Sequence, residues 1–516
     1  MLSLRSSLSP ICSNTTIITY FYKYENRKFQ HYRTPEGIDY THPAFVNADK
    51  SSRIYSLWDQ SIPYDEAASV GRLPEELLYG TEYTREDINL ALQSENPWDI
   101  VPSRDTEGHG TFLAGVACGN ENESLDFAGV APLAGLVVVK CKQAKKNLRD
   151  FYRIGGDAPC FAESDIMLGI RYLARVAYRT RMPMVVCLGM GTNMGSHYRG
   201  GALGNIMQSF GDIRGFVMVT AGGNEGNASH HYRSETIAAR EEVEVELRVD
   251  SQEEGFTTEL WCGAPGLCSV ALISPSGEYS GKTYARLGER QQINFLLENT
   301  AVNIEYLLVS FESGDECIRI RFQNPQEGIW RIRVFNETDL SVDFNMWLPT
   351  RDFIREGTYF IRPDPNITLC EPSNNPQLIC VTDYNSADRS VVVDASRGFN
   401  RKGEIRPDFA APGVSIFGPL PRLGNVYPST EEERLETARY GYRSGSSAAT
   451  AVAAGAAVLL LEWGAVKGND ITLDSVGVQK YLVRGANRTG RVFPNREWGF
   501  GTLDLYGVFE NLRPRP

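Results

Sequence analysis

Two short segments carry the residue types needed for proton transfer and nucleophilic attack. In Asp105-Thr-Glu-Gly-His109-Gly-Thr-Phe-Leu-Ala-Gly115 a histidine opens a helical run between glycines that let the backbone and a substrate come close. In Ser444-Gly-Ser-Ser447-Ala-Ala-Thr-Ala451 a group of serines leads into an alanine-rich apolar run. A serine hydroxyl is a poor nucleophile at neutral pH and needs a base within hydrogen-bond reach; an imidazole titrates in the right range for that task. A lone histidine is usually structural, so the surrounding chain has to decide. Three further glycine-rich segments stand out: Gly129-Val-Ala-Pro132, Ala221-Gly-Gly-Asn224-Glu-Gly226 and Arg406-Pro-Asp-Phe-Ala-Ala-Pro-Gly413.

The elements around these segments alternate. Over residues 100–240 short apolar runs, Leu136 to Val139, Met184 to Leu188 and Phe216 to Val219, read as buried parallel strands. Between them, from Ser164, Ile166, Met167, Ile170, Leu173, Ala174 and Ala177 fall at helical spacing. From about residue 240 the period changes. Val243, Val245, Leu247 and Val249 alternate with charged residues, as do Ile318, Ile320 and Phe322, and then Ile332 and Val334, the pattern of half-buried antiparallel strands. Ser269 to Ile273, Tyr306 to Phe311 and Val342 to Trp347 complete an expected β-sandwich or jelly roll. The α/β pattern then returns, with Leu378 to Thr382 and Val414 to Phe417 as strands and 446–461 as a long buried helix. The expected fold class is α/β: a parallel sheet with helices on both faces, over 37–239 and 351–516, interrupted by an antiparallel β-sandwich over 240–350.

Five motif segments in this order resemble the subtilases, the subtilisin-like serine proteases. Gly129 to Pro132 is similar to the turn that precedes a sheet strand in that family. Ala221 to Gly226 is similar to its oxyanion segment with one alanine replaced by glycine, and Arg406 to Gly413 to its Lys-Pro-Asp-x-x-Ala-Pro-Gly segment. Ser444 to Ala451 resembles the nucleophile motif, with Ala451 where the family has proline; that change alters only the first helical turn, since proline there merely pre-sets φ. Trp498-Gly-Phe-Gly-Thr-Leu-Asp-Leu-Tyr506 resembles the closing segment, so the likeness runs from about Gly37 to Tyr506.

The resemblance implies that His109 takes the proton of Ser447 and returns it to the leaving amine, and that the Asn224 amide and the Ser447 backbone N–H stabilise the oxyanion. It further implies that Cys187-Leu188-Gly189 is a strand edge along which an extended protein or peptide substrate lies. His42, His197, His230 and His231 receive no family role and are expected in loops or on the surface. No cofactor is required by this chemistry, and no metal site is expected. Structural calcium, common in subtilases, is left open by the sequence, since no run of closely spaced acidic residues marks a site.

One motif departs. The family's Asp-[Ser/Thr]-Gly-[Ile/Val]-Asp is continued well by Gly37-Ile38-Asp39-Tyr-Thr-His-Pro-Ala-Phe45, but the position of the triad aspartate is held by Pro35, and Arg27 to Thr34 do not read as the buried strand the fold needs. Residues 1–36 therefore read as an unmatched segment. Either they are not the true N-terminus or the chain has lost its aspartate; too little sequence precedes Pro35 for a separate prodomain, which is expected to be supplied from outside this chain. Asp39 and Asp105 have their own motif positions and are expected to be solvated or to brace loops.

Composition bounds the remaining classes. The 516 residues carry 52 Lys and Arg against 64 Asp and Glu, a net charge of -12, which disfavours nucleic acid and anionic lipid as partners. The ten cysteines are scattered, several in apolar runs, and Cys262 and Cys268 have no second pair to complete a zinc site; a reducing compartment fits best. No signal peptide is visible, and the apolar stretch Ala448 to Leu461 is too short to span a bilayer. The Gly37 to Phe45 opening and the β insertion look most similar to the Csp-type subtilases of spore-forming anaerobes. Some of these cleave the precursor of a spore-cortex hydrolase during germination, and others are pseudoproteases that act as receptors or scaffolds. A cytoplasmic or spore compartment follows from that likeness.

Overall fold

The computed structural model describes residues 16–20, 37–155, 158–422, 430 and 438–512, with the backbone alone described for 16–20. Its central sheet has nine strands. Thr16–Tyr20 lies parallel between Gly135–Lys140 and Met184–Leu188. Phe216–Ala221, Ile379–Asn385 and Phe409–Pro412 continue the parallel set on one side and Ile54–Asp59 on the other. Thr81–Thr84 and Ser390–Val391 are antiparallel additions. The central strand therefore comes from the unmatched segment, earlier in the chain than the polar run before Pro35; Pro35 itself lies outside the described residues.

The uniformly apolar strands are explained by two helical layers. Leu136, Val138, Val185, Cys187, Val217 and Val219 face one core, which includes the helices His109–Cys118, Ser446–Leu461 and Ser475–Gly485. The alternate residues Val137, Val139, Val186, Leu188 and Met218 face a second core under Glu163–Thr180 and Gly201–Gly211. Period-two side-chain alternation with both faces covered leaves no polar face on these strands. The Ser446–Leu461 helix runs on through a π turn to Val466; these 21 residues are long and apolar enough to cross a membrane by length and composition, but they lie largely inside the first core.

The inserted region folds as two antiparallel sheets. One has four strands in the order Cys268–Ile273, Gly328–Asn336, Glu242–Val249, Tyr359–Phe360. The other has six: Arg290–Phe295, Thr300–Leu307, Glu316–Gln323, Gly255–Cys262, Phe344–Trp347, His231–Arg233. Val245, Leu247, Ile332 and Val334 from the first meet Phe256, Leu260, Ile318 and Ile320 from the second in a single core. The sheets take strands from both sides of 240–350, because His231–Arg233 and Tyr359–Phe360 add edges that the alternation did not mark. Two expected strands move. Phe311 is exposed beyond the strand Thr300–Leu307, and Val414 lies outside Ile416–Leu420, which leaves the main sheet to pair with Arg439–Arg443.

Candidate active site

Two helix N-termini face each other across the ends of the parallel strands, the usual position for a site in an open α/β sheet. His109 is the first residue of His109–Cys118, and Gly108 caps it with φ 81°, a left-handed conformation. A Cβ there would also stand 2.6 Å from Pro421, so glycine is required on both counts. Asp105 holds this turn. Its Oδ1 accepts the N–H groups of Glu107 and Gly108, and its Oδ2 accepts the N–H and hydroxyl of Thr111. Asp39 likewise accepts from Thr41 and from the N–H of Arg422, while its own N–H donates to Thr111. Both aspartates are buried and brace loops; neither is solvated.

Ser447 stands in the first turn of Ser446–Leu461, where backbone N–H groups have no intrahelical acceptor and the helix dipole is positive. His109 Nε2 lies 2.9 Å from Ser447 Oγ, residues 338 positions apart in sequence. The Ala221–Gly226 turn is locked against this loop. The Ser446 N–H donates to Asn224 Oδ1 at 3.0 Å, and the Gly223 N–H donates to the Ser446 hydroxyl at 3.1 Å. Since a backbone N–H must meet the amide oxygen, the Asn224 NH2 group is turned away from it as a donor. His109, Asn224 and Ser447 line one cleft of about 60 Å³, together with Gly189, Cys370 and Arg351. A base, a hydroxyl and converging donors in one small cleft can run acyl transfer.

The expected substrate edge needs correction. Cys187 and Leu188 pair on both sides, with Thr19 and Tyr20 and with Val219 and Thr220, and are fully buried. Only Gly189, followed by Met190 and Gly191, reaches the cleft. The four unassigned histidines are also not surface residues; all are buried. His42 bonds the Arg439 carbonyl and the Ala44 N–H, and burial lowers its pKa to about 4. His230 bonds Glu225 at 2.8 Å, which in turn accepts from the N–H of Arg351. His197 and His231 stack on Trp347 of the β insertion. Helical or strand periodicity gives no signal for such residues, because their contacts are set by loop conformation and by distant partners such as Arg439 and Trp347.

Spacing also missed a third neighbour of Cys262 and Cys268. Glu316 pairs with Cys262 across the sheet, and among the described residues these three form the one group of candidate metal ligands, with donor atoms all within 4.8 Å. The nine described cysteines are free and buried.

The profile of the Subtilase family, Peptidase S8, matches residues 36–255 and 362–501, more than half of the chain. The chain belongs to the subtilase family. The break in the match falls within the β insertion. The solved structure of the Clostridium perfringens CspB protease is similar over 97% of this chain and 94% of that chain, at 27% identity and a TM-score of 0.78. The fold likeness to sphericase is looser, at 14% identity, 95% and 91% coverage and a TM-score of 0.43. Fervidolysin from Fervidobacterium pennivorans, a keratinolytic enzyme related to subtilisin, gives 13% identity and a TM-score of 0.42, over 98% of this chain and 44% of that chain. No curated protein matches the sequence. Of these three structures, the CspB protease shares the most sequence identity with this subtilase.

Proposed function

We propose that this subtilase is an active serine endopeptidase. The observation that carries the reading is the 2.9 Å approach of His109 Nε2 to Ser447 Oγ in a cleft shared with Asn224. As a substrate carbonyl enters, His109 takes the hydroxyl proton and Ser447 Oγ bonds to the carbonyl carbon. Negative charge then develops on the carbonyl oxygen, where the Asn224 amide and the first-turn N–H of Ser447 donate. His109 returns the proton to the departing amine, and water repeats the sequence to release the acyl group. The open backbone at Gly189 to Gly191 pairs with the extended substrate. Side chains and backbone groups of the chain itself carry these steps, so no cofactor is needed. Likeness to CspB supports a protein substrate, processed during spore germination in a cytoplasmic or spore compartment, with any prodomain supplied separately.

A second reading, a pseudoprotease that binds without cleaving, is favoured by Pro35 at the aspartate position of the motif. Loss of that aspartate alone lowers kcat about 10⁴-fold in the serine protease template. A fluorophosphonate probe with intact-mass readout separates the two. Labelling of the parent but not of Ser447→Ala supports the peptidase; an unlabelled, cooperatively folded parent supports the scaffold.

A further inference from the structure

A second cavity, of about 510 Å³, lies between the α/β core and the β insertion and shares Met190 and Gly191 with the catalytic cleft. Among the described residues its walls carry four carboxylates: Glu163 and Glu371 from the core, Glu259 and Glu312 from the insertion. Glu259 has a counter-charge and, among the described residues, Glu163 has a backbone donor alone. Glu259 pairs with Arg319 at 2.8 Å and accepts from the Gly195 N–H, and Glu163 accepts from the Leu203 N–H. The other cation on the wall, Arg149, donates to the Ala158 carbonyl and to Cys160.

Glu312 and Glu371 are not neutralised in this way. Glu371 is 4% exposed; its Oε1 accepts from the Tyr198 N–H, but its Oε2 has no hydrogen-bond partner. Glu312 has a 3.5 Å contact from the Ser196 hydroxyl. Glycines keep the space before them open: a Cβ at Gly201 would stand 3.1 Å from Glu312 Oε1 and 3.6 Å from Glu163 Oε1, and one at Gly195 would stand 3.2 Å from Glu371 Cγ. Burial, followed by the charge of Glu312, pushes Glu371 up to about 8, and burial with Glu163 and Glu259 raises Glu312. A buried carboxylate without a counter-charge is costly, and a cation delivered into the cavity relieves it.

We propose that the seam cavity binds an arginine or lysine side chain of a peptide lying along Gly189 to Gly191. For its ligand this rests on the endopeptidase reading. Among the described residues no three carboxylates lie within chelating distance of one another, so a bare metal ion is poorly served. A basic side chain fits better, because the wall also offers Leu148, Ile166, Met190 and Trp261 to an aliphatic stem.

The test uses the full chain with Ser447→Ala, which binds without turning over, and a set of blocked hexaalanine peptides in which one arginine is moved through each position. Each is compared by calorimetry with its citrulline isostere, which keeps the shape and removes the charge. At one position arginine is expected to bind about tenfold or more tightly than citrulline, as for a hydrogen-bonded charge. Glu371→Gln or Glu312→Gln added to this background should bring the ratio towards one. Equal binding of arginine and citrulline at every position overturns the proposal, as does a preference that survives both substitutions. A variant that does not fold leaves the arginine-to-citrulline ratio of the Ser447→Ala chain decisive. Fluorophosphonate labelling of the parent is read separately, so a silent Ser447 and an unselective cavity are distinguishable.

Discussion

Asn224 does two jobs with one amide. Its oxygen fastens the residue before Ser447, and its nitrogen is left to donate into the cleft. Asn224→Ala is therefore expected to cost about 10²–10³ in kcat with little change in KM, as for other oxyanion donors. Unchanged kcat in steady-state peptide hydrolysis would place the oxyanion elsewhere. Asp383, beside the nucleophile loop, shows the opposite economy of contacts. It is buried, neither carboxylate oxygen has a partner, and burial, then the charge of Asp394, raises its pKa to about 8. The folded chain thus holds a proton that the unfolded chain releases near pH 4. Folding binds more protons between these values, so this group's contribution to stability falls as pH rises towards 8. Asp383→Asn removes the titration. Its melting temperature should gain on the parent between pH 5 and pH 8; a constant difference across that range would show that Asp383 ionises freely in the folded chain.

At the scale of elements, the separation of His109 and Ser447 is set by how closely their helices pack. Gly455, in the nucleophile helix, is the point of contact: a Cβ there would stand 2.8 Å from the Ala117 carbonyl of the histidine helix and 2.5 Å from Val130. Gly455→Ala must push the helices apart. The expected cost is about 1–3 kcal/mol of stability, typical of overpacking, and up to about 100-fold in acylation, since a shift near 1 Å at the reacting atoms is enough. An unaltered melting curve with an unaltered labelling rate would mean that the helices slide without separating the site. These elements were legible in the sequence to different degrees. The strands Gly135–Lys140 and Met184–Leu188 and the helix Glu163–Thr180 announce themselves by periodicity, and His109, Asn224 and Ser447 by motif. Cys187 and Leu188, an edge by resemblance, lie inside the sheet; an apolar run looks the same in both places, and only the pairing partners on both sides decide it. The histidines at 197, 230 and 231 read as loop or surface residues because their polar neighbours in sequence conceal the stacking of His197 and His231 on Trp347 and the bond of His230 to Glu225; of these contacts, only the His197 stack needs the insertion docked on the core.

That docking is the property of the whole molecule on which the seam cavity depends. One buried polar fastening is Asp315 of the insertion, which meets Arg401 and, at 2.9 Å, Lys402 of the core. Arg401 in turn donates to the Ser196 carbonyl at 2.7 Å, and Asp315 also accepts from the Ala264 N–H, so the pair ties two core loops to two insertion loops. Burial opposes ionisation of Asp315, but Arg401, the Ala264 N–H and Lys402 outweigh it and hold its pKa at about 2. A depressed carboxylate stabilises the fold above its ordinary pKa near 4 and loses that contribution as pH falls through about 2, so the seam should withstand mild acid and fail only below pH 4. Asp315→Ala leaves the Arg401 charge buried at the seam, a loss of about 3–5 kcal/mol for a broken buried pair. Because the two lobes have separate hydrophobic cores, the loss falls on their coupling. Scanning calorimetry of the variant at pH 7 is expected to resolve two transitions where the parent gives one, and the arginine preference of the cavity should weaken with them. A single transition lowered as a whole would mean that the apolar seam around Trp347 couples the lobes without the ion pair.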